Sequence, residues 1–370
     1  MPASSPIKIL VAPLDWGLGH TTRCIPVITK LLEKEIDVVL AGNSQQREIL
    51  LAEFPGCTFL ELQGYNIAYS RSRQFFATKI MSQLPGVSRA IRNENRWLKR
   101  VVAQYGIHGV ISDNRFGLYH SKIPTAIITH QLHIKTGAGA LLNNWARQIN
   151  YRQIRKFGQC WIPDYKEIPN LAGELSHPTT LPKMPVVYVG PLSRMTPPAK
   201  ANKTHDLLFV ISGPEPQRTI FEDLVFKQLQ SLPYTAKLVR GLPANAATRA
   251  QPRIEVYNHL PKKELEQAMA AAELVICRSG YTSVMDINSM KLRSVLVPTP
   301  GQGEQEYLAD YLMEQGFALK FDQSEFHLEK IINAAGQFAY TGFVESREDL
   351  LAEAIHTFTG DCLAKASHPL

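Results

Sequence analysis

The chain has 370 residues, with 40 Lys and Arg against 33 Asp and Glu, a net charge of +7, and hydrophobic residues make up 45% of it. This length predicts two domains with apolar material for two cores, and it excludes wholesale disorder, collagen and coiled coil. Five scattered cysteines without a C-x-x-C pair argue against a disulfide framework or a thiolate zinc site and for a reducing cytosol.

In chain order, Ile7–Leu14 is an apolar run broken by Pro13, so no signal peptide is expected there. No window approaches the roughly 20 apolar residues of a membrane span. After a Gly-containing turn, Cys24, Val27, Ile28, Leu31 and Leu32 recur at the spacing of an amphipathic helix. Strand-like segments follow at Ile36–Ala41, Thr58–Leu62, Ile107–Ser112, Thr125–Thr129, Gln159–Ile162 and Val186–Val189. Beyond Gly190–Pro191 the polar stretch Thr196–His205 reads as a linker. A second series then begins: Leu207–Ser212, Ala236–Arg240, Ile254–Tyr257, Leu274–Cys277, Ser294–Val297 and Ala318–Phe321. Helical patterns at Lys262–Ala272, Tyr281–Met290 and Glu304–Gln315 separate the later strands, and Ser346–Thr357 is helical again. Alternating strands and helices predict an α/β fold of parallel sheets, as two Rossmann-like domains facing across a cleft. The expected division is residues 1–192 for an acceptor domain, 193–205 for a linker and 206–344 for a nucleotide-sugar domain. Residues 345–370 then form a terminal helix that returns to the first domain.

The charge is uneven. From Tyr65 to Arg100 eight bases (Arg71, Arg73, Lys79, Arg89, Arg92, Arg96, Lys99 and Arg100) face the single acid Glu94. Tyr69, Phe75, Phe76, Ile80, Met81, Leu84, Val87, Ile91 and Trp97 are interleaved with them. Bases mixed with exposed apolar residues suit an anionic membrane surface. The alternative is a solvated face of ordinary helices whose apolar residues are core. No recognition motif supports nucleic acid.

Gly17-Leu18-Gly19-His20-Thr21-Thr22-Arg23 joins the first strand to its helix. The glycines permit a tight turn and set His20 at the helix N-terminus, where the helix dipole disfavours imidazolium and favours a neutral base. Asp113 ends the strand Ile107–Ser112 on the same rim, placed either to orient that base, to stand in for it, or to serve as a turn residue before Asn114. His130 and His133 follow the next strand and are weaker candidates. In the second half a strand ends in Cys277-Arg278-Ser279-Gly280 at a helix start, offering backbone N–H groups and a guanidinium to a diphosphate. Asp286, further along that helix, can accept ribose hydroxyls, and Glu304 and Gln305 open the next helix within reach of a sugar. Tyr307 and Tyr311 read as helix packing.

At these residues the chain resembles glycosyltransferase family 28. This is the GT-B family of the inverting N-acetylglucosaminyltransferase that completes peptidoglycan's lipid precursor. The likeness is closest from Ala272 to Leu319, where the Cys277–Gly280 tetrad matches the family motif, and Gly17–Arg23 resembles its Gly-Gly-His loop. The resemblance implies that Arg278, Ser279, Gly280 and the neighbouring Ser283 hold UDP and that Asp286 stands where a Glu binds ribose. It implies also that Gln305 touches the donor sugar, that His20 is the histidine near the reaction centre, and that His259 and Leu260 present backbone atoms to uracil. The family's Gly-rich loop is here Ser212-Gly213-Pro214-Glu215-Pro216-Gln217-Arg218. Its prolines remove two donors, its Glu215 opposes a phosphate, and Arg218 is left to compensate. Glu304 replaces a histidine beside Gln305.

The same first loop, with Gly17, Gly19, His20 and Arg23, also resembles the Gly-His-x-x-Arg loop of the pseudaminic-acid-pathway UDP-sugar hydrolase, a GT-B relative. The expected function is inverting transfer of a sugar, an N-acetylhexosamine by the resemblance, from a UDP-sugar to a lipid-linked or glycan acceptor. The alternatives are hydrolysis with water as acceptor and a non-catalytic nucleotide-sugar-binding protein. No Asp-x-Asp motif occurs, so no metal is expected, and the UDP-sugar is a substrate rather than a cofactor. The expected location is the cytoplasm, peripheral to the inner face of the membrane.

Overall fold

The computed structural model describes residues 7–65, 76–135, 139–198, 202–242, 251–344 and 349–367. Two compact units emerge. One contains Met1–Ser70 and Gln74–Ser193 and recovers Ser346–Leu370, and the other contains Arg194–Glu345.

The first unit is built on β1 (Lys8–Pro13), β2 (Asp37–Gly42), β3 (Thr58–Glu61), β4 (Gly109–Asp113), β5 (Thr125–Ile128), β6 (Gln159–Ile162) and β7 (Val186–Tyr188). They form one sheet in the order β3-β2-β1-β4-β5-β6-β7, with neighbouring strands parallel throughout. Helices cover both faces of such a sheet, which is why β1 is a continuous apolar run and Ile9, Leu10, Val11 and Ala12 are wholly buried. The order reverses between β1 and β4, whose register runs from Ile9 opposite Gly109 to Pro13 opposite Asp113. Carboxyl ends that part at such a reversal leave the crevice in which doubly wound sheets bind ligands.

Helix α1 (Leu18–Leu32) starts at Gly17, whose φ of 78° is a conformation that favours glycine. Helix α2 (Ser44–Glu53) is opened by a reciprocal cap between Asn43 and Gln46. The basic segment contains α3 (Phe76–Tyr105). On it Ile91, Glu94, Asn95, Leu98 and Val101 are buried, while Arg89, Arg92, Arg96, Lys99 and Arg100 are exposed. The three-to-four residue spacing thus sorts the mixture, and Ile91, with the half-buried Val87 and Trp97, packs into apolar clusters. Residues 66–75, including Tyr69, Arg71, Arg73 and Phe75, lie outside the described residues. So do the side chains of Phe76, Lys79, Ile80, Met81 and Leu84. Helix α4 (Ala140–Ile154) lies between β5 and β6.

The second unit repeats the plan with β8 (His205–Val210), β9 (Ala236–Val239), β10 (Ile254–Tyr257), β11 (Ala272–Cys277), β12 (Ser294–Leu296) and β13 (Leu319–Lys320). The sheet order is β10-β9-β8-β11-β12-β13, again parallel, with its reversal between β8 and β11. Its helices are α5 (Gln217–Leu229), α6 (Lys262–Ala271), α7 (Tyr281–Met290), α8 (Gly303–Glu314) and α9 (Leu328–Gln337).

Helix α10 (Leu350–Ser367) belongs to the first unit and packs against α1. Its Ile355, Phe358 and Cys362 are wholly buried, and the Phe358 ring meets Trp161 edge-on at 5.6 Å. A Cβ on Gly109 would lie 2.5 Å from Cys362 Sγ, so the glycine is what lets β4 run so close beneath this helix. Truncating Phe358 to Ala should cost about 3 kcal/mol, as for other buried phenylalanines. Denaturant unfolding followed by Trp161 fluorescence checks it, and a loss below about 1 kcal/mol would mean that α10 is not part of this core.

Candidate functional site

The carboxyl ends of β1 and β4 bring together His20, Arg23 and Asp113. Asp113 is the last residue of β4 and is fully buried, with Oδ2 2.9 Å from His20 Nδ1. Of the three sequence readings of Asp113, the geometry matches orientation of the imidazole. Arg23, one turn after His20 on α1, is 2% exposed and grips the same carboxylate through Nε at 2.9 Å and again through Nη2. Its Nη2 also stands 2.8 Å from His20 Nδ1, and its Nη1 lies 3.4 Å from Nδ1 of the buried His130. Arg23, the arginine of the Gly-His-x-x-Arg loop, therefore lies beneath His20 and inside the fold.

The charges balance in a definite way. Burial, then the neighbouring Arg23 guanidinium, lowers the pKa of His20 below its ordinary value, with Asp113 opposing. The ring is thus kept neutral chiefly by burial and a cation, whereas the sequence had suggested the helix dipole. For Asp113, burial would raise the pKa, but Arg23 and His20 outweigh it and hold the carboxyl below its usual value. An ionised, bidentate-paired carboxylate is a poor substitute base, which removes Asp113 from that role.

A second buried set braces the neighbouring loops. Glu94 of α3 accepts from Arg115 Nε at 2.5 Å, from the Tyr65 hydroxyl at 2.6 Å and from the Gly117 N–H at 2.7 Å. Arg115 reaches on to the carbonyls of Pro13 and Gln63, tying the ends of β1, β3 and β4 together. The lone acid of the basic segment is thus internal. His133 instead lines an open depression of about 410 Å³ with Asn143, Asn144 and Arg147, apart from the His20 cluster.

In the second unit the expected donor residues also collect at strand ends, but several side chains are committed inward. Arg278, after β11, is fully buried against the Phe221 ring. Its Nη1 donates to the carbonyls of Val297 and Pro298, and its Nη2 to the carbonyl of Gln217 and to Gln323 Oε1. Burial lowers its pKa to about 10. The guanidinium expected to meet a diphosphate is therefore an internal brace linking β11, β12 and α5. Arg218 is similarly occupied, by Glu222 at 2.5 Å and Glu215 at 2.6 Å, and cannot compensate for the prolines. Glu215 also accepts from the Thr219 N–H, so the start of α5 is filled by the chain's own carboxylate. Gln305 accepts from the Thr299 N–H and donates to Gln302, and Ser279 donates to the Gln305 carbonyl. These two hold the loop rather than offer free polar groups, and Leu260 is buried.

What remains at the surface of this strand-end region is Ser212, Gly213, Gly280, Ser283, Asp286 and Glu304, with His259 exposed after β10. Gly280 begins α7 without a side-chain cap. Gly213 has a φ of 108°, and a Cβ there would approach Thr299 Oγ1 to 3.6 Å. That hydroxyl is buried and has no hydrogen-bond partner. Nothing in the sequence singled out Thr299, because an orphaned hydroxyl is a property of packing alone. No group of three or more His, Cys, Asp or Glu suited to a metal ion occurs among the described residues.

Comparison with known proteins matches residues 244–339 to the glycosyltransferase family 28 C-terminal domain. The UDP-N-acetylglucosamine–N-acetylmuramyl-(pentapeptide) pyrophosphoryl-undecaprenol N-acetylglucosamine transferase of Pasteurella multocida is 22% identical over 86% of each chain. The transferase of the same name from Saccharopolyspora erythraea is 40% identical over 20% of each. Among solved structures, the kitacinnamycin glycosyltransferase superposes with a TM-score of 0.64 at 14% identity, covering 98% of this chain and 96% of that one. The calicheamicin glycosyltransferase CalG4 gives 0.62 at 12% identity, covering 98% and 95%.

The internal role of Arg278 has a direct test. Replacing it with Met strands two buried carbonyls and two half-buried acceptors and should lower unfolding stability by roughly 3 kcal/mol. Urea denaturation measures this, and a loss under about 1 kcal/mol would return the guanidinium to the ligand side.

Proposed function

We propose that this chain, a GT-B glycosyltransferase of the family 28 type, moves a sugar with inversion from a UDP-sugar to a hydroxyl of a lipid-linked or glycan acceptor. The related transferases named above act from UDP-N-acetylglucosamine, which supports an N-acetylhexosamine as cargo. The observation that carries the reading is the His20–Asp113 contact of 2.9 Å at the reversal of the first sheet. With Nδ1–H directed at Asp113, Nε2 takes the acceptor proton, and the hydroxyl oxygen attacks the anomeric carbon opposite the departing UDP. In the second unit, UDP would rest on His259 and Leu260 through uracil and on Asp286 through ribose. Its pyrophosphate would lie near Ser212, Gly213, Gly280, Ser283 and the Thr299 hydroxyl, with Glu304 near the sugar. The positive end of α7 stabilises the charge that develops on the leaving group, without a metal ion.

A lipid-linked acceptor is supported by α4. Leu141, Trp145 and Ile149 recur one turn apart on it and are 90%, 47% and 37% exposed. Between Asn114 and Pro163 there are seven bases and no acid, and Arg152, Arg155 and Lys156 are exposed at the end of this helix. An apolar stripe bordered by cations suits the headgroup boundary of an anionic bilayer on the cytoplasmic side. We infer the contact on α4; within 65–100, Ile91 and Leu98, described residues of α3, are core. No helix among the described residues is long and apolar enough to cross a membrane.

A panel of UDP-sugars, incubated with and without a membrane lipid extract, should release UDP only when the right donor and the extract are both present. Release with water alone would identify a hydrolase, and binding without release a non-catalytic protein. His20→Ala should slow release at least about 100-fold with UDP affinity nearly unchanged. Because the pKa of His20 lies below the ordinary 6.5, wild-type kcat/KM should fall only as pH drops below that value. Trp145→Glu should weaken sedimentation with anionic vesicles, and salt should weaken wild-type binding. Sedimentation unaffected by either would remove α4 from the interface.

A further inference from the structure

His20 Nδ1 has two partners of opposite kind: Asp113 Oδ2 at 2.9 Å, which can only accept, and Arg23 Nη2 at 2.8 Å, which can only donate. One ring nitrogen carries either a proton or a lone pair. With the proton on Nδ1, the ring donates to Asp113 and Nε2 keeps the lone pair that can take a proton. With the proton on Nε2, Nδ1 accepts from Arg23 and no basic nitrogen is left. The carboxylate that would favour the first form is itself held in a two-pronged grip by Arg23.

We propose that Arg23 is a positioning residue that governs the imidazole, keeping His20 uncharged by balancing Asp113 and competing with Asp113 for Nδ1. The catalytic meaning rests on His20 being the base, but the electrostatic relation does not. The charged and titratable groups facing the ring come from three elements. These are Arg23 on α1, Asp113 on β4 and His130 beyond β5, and His130 is in turn 3.4 Å from Arg23 Nη1. A buried carboxylate beside an imidazole would ordinarily draw a proton onto the ring. A guanidinium inserted against both removes that pull. In solution the ring then exchanges between two neutral forms.

Nitrogen NMR of histidine-labelled protein measures the pKa and tautomer of His20 without requiring turnover, and His20→Gln assigns the signal. Arg23→Met leaves Asp113 without its cation, and the His20 pKa should rise by about one unit or more, with Nδ1 becoming fully protonated. Arg23→Lys restores a positive charge without the fork. It should bring the pKa back towards wild type while Nδ1 stays the protonated nitrogen. Should Arg23→Met fail to fold, Arg23→Gln supplies the neutral variant, with the amide spectrum as the folding control. A His20 pKa and nitrogen shifts unchanged in the neutral variant would overturn the proposal. In the UDP-release assay, the acid limb of kcat/KM should move upward by the same interval as the NMR pKa. If the NMR values move and the limb does not, the reading of His20 as base fails while the role of Arg23 stands.

Discussion

The ion pair between Arg23 and Asp113 is the constraint on which the first unit's site depends. Both members are buried, and they join the first turns of α1 to the end of β4 across the sheet reversal. Removing one member of such a pair leaves a charge in a place that water cannot reach, which typically costs 3–5 kcal/mol. The pair therefore fixes how α1 leaves Gly17. His20, one turn earlier on the same helix, has its ring direction set by that anchoring. Orientation of the imidazole is a by-product of a structural contact, and the two roles share one carboxylate.

The second unit uses its arginines in the same inward manner. Arg278 and Arg218 lie in the frame of the strand-end region, tied to carbonyls, carboxylates and an amide, and supply rigidity rather than ligand charge. That leaves the half-exposed Ser212, Ser283, Asp286 and Glu304, backbone N–H groups, a helix dipole and a buried hydroxyl as the polar features for a nucleotide. Such a surface is shaped in advance and loses little order on binding. The loop from Ser212 to Arg218 illustrates the exchange: the prolines remove donors, and Glu215 caps the helix that a phosphate would otherwise meet.

The strands were legible in the sequence because a parallel sheet buries both faces, so each strand is a compact apolar run between turns, from Ile7–Leu14 to Ala318–Phe321. Helices α7 and α8 were legible from the patterns Tyr281–Met290 and Glu304–Gln315, within one residue of their observed bounds. For α3 the sequence left two readings open, a membrane-facing mixture or an ordinary helix with a solvated face, and the burial of Ile91, Leu98 and Val101 opposite the exposed Arg92, Arg96 and Lys99 matches the second over the described residues. His20 and Asp113 could be paired from their positions on adjacent strand ends. The fates of Arg23, Arg278 and Gln305 could not be read. Motif position says which residues gather at a site, while burial and competing acceptors decide which of them remain available. The stripe Leu141, Trp145 and Ile149 was readable at helical spacing, but its exposure was not.

Helix α10 carries a consequence for biosynthesis. It supplies Ile355, Phe358 and Cys362 to the core of the first unit, yet the ribosome makes it only after the whole of the second unit has been synthesised. The later-made sheet has every strand it needs while the earlier one still lacks its closing helix. Completion thus runs against the direction of translation, and the nascent amino-terminal half must keep the hydrophobic seat around Trp161 and Gly109 sheltered until the final helix arrives.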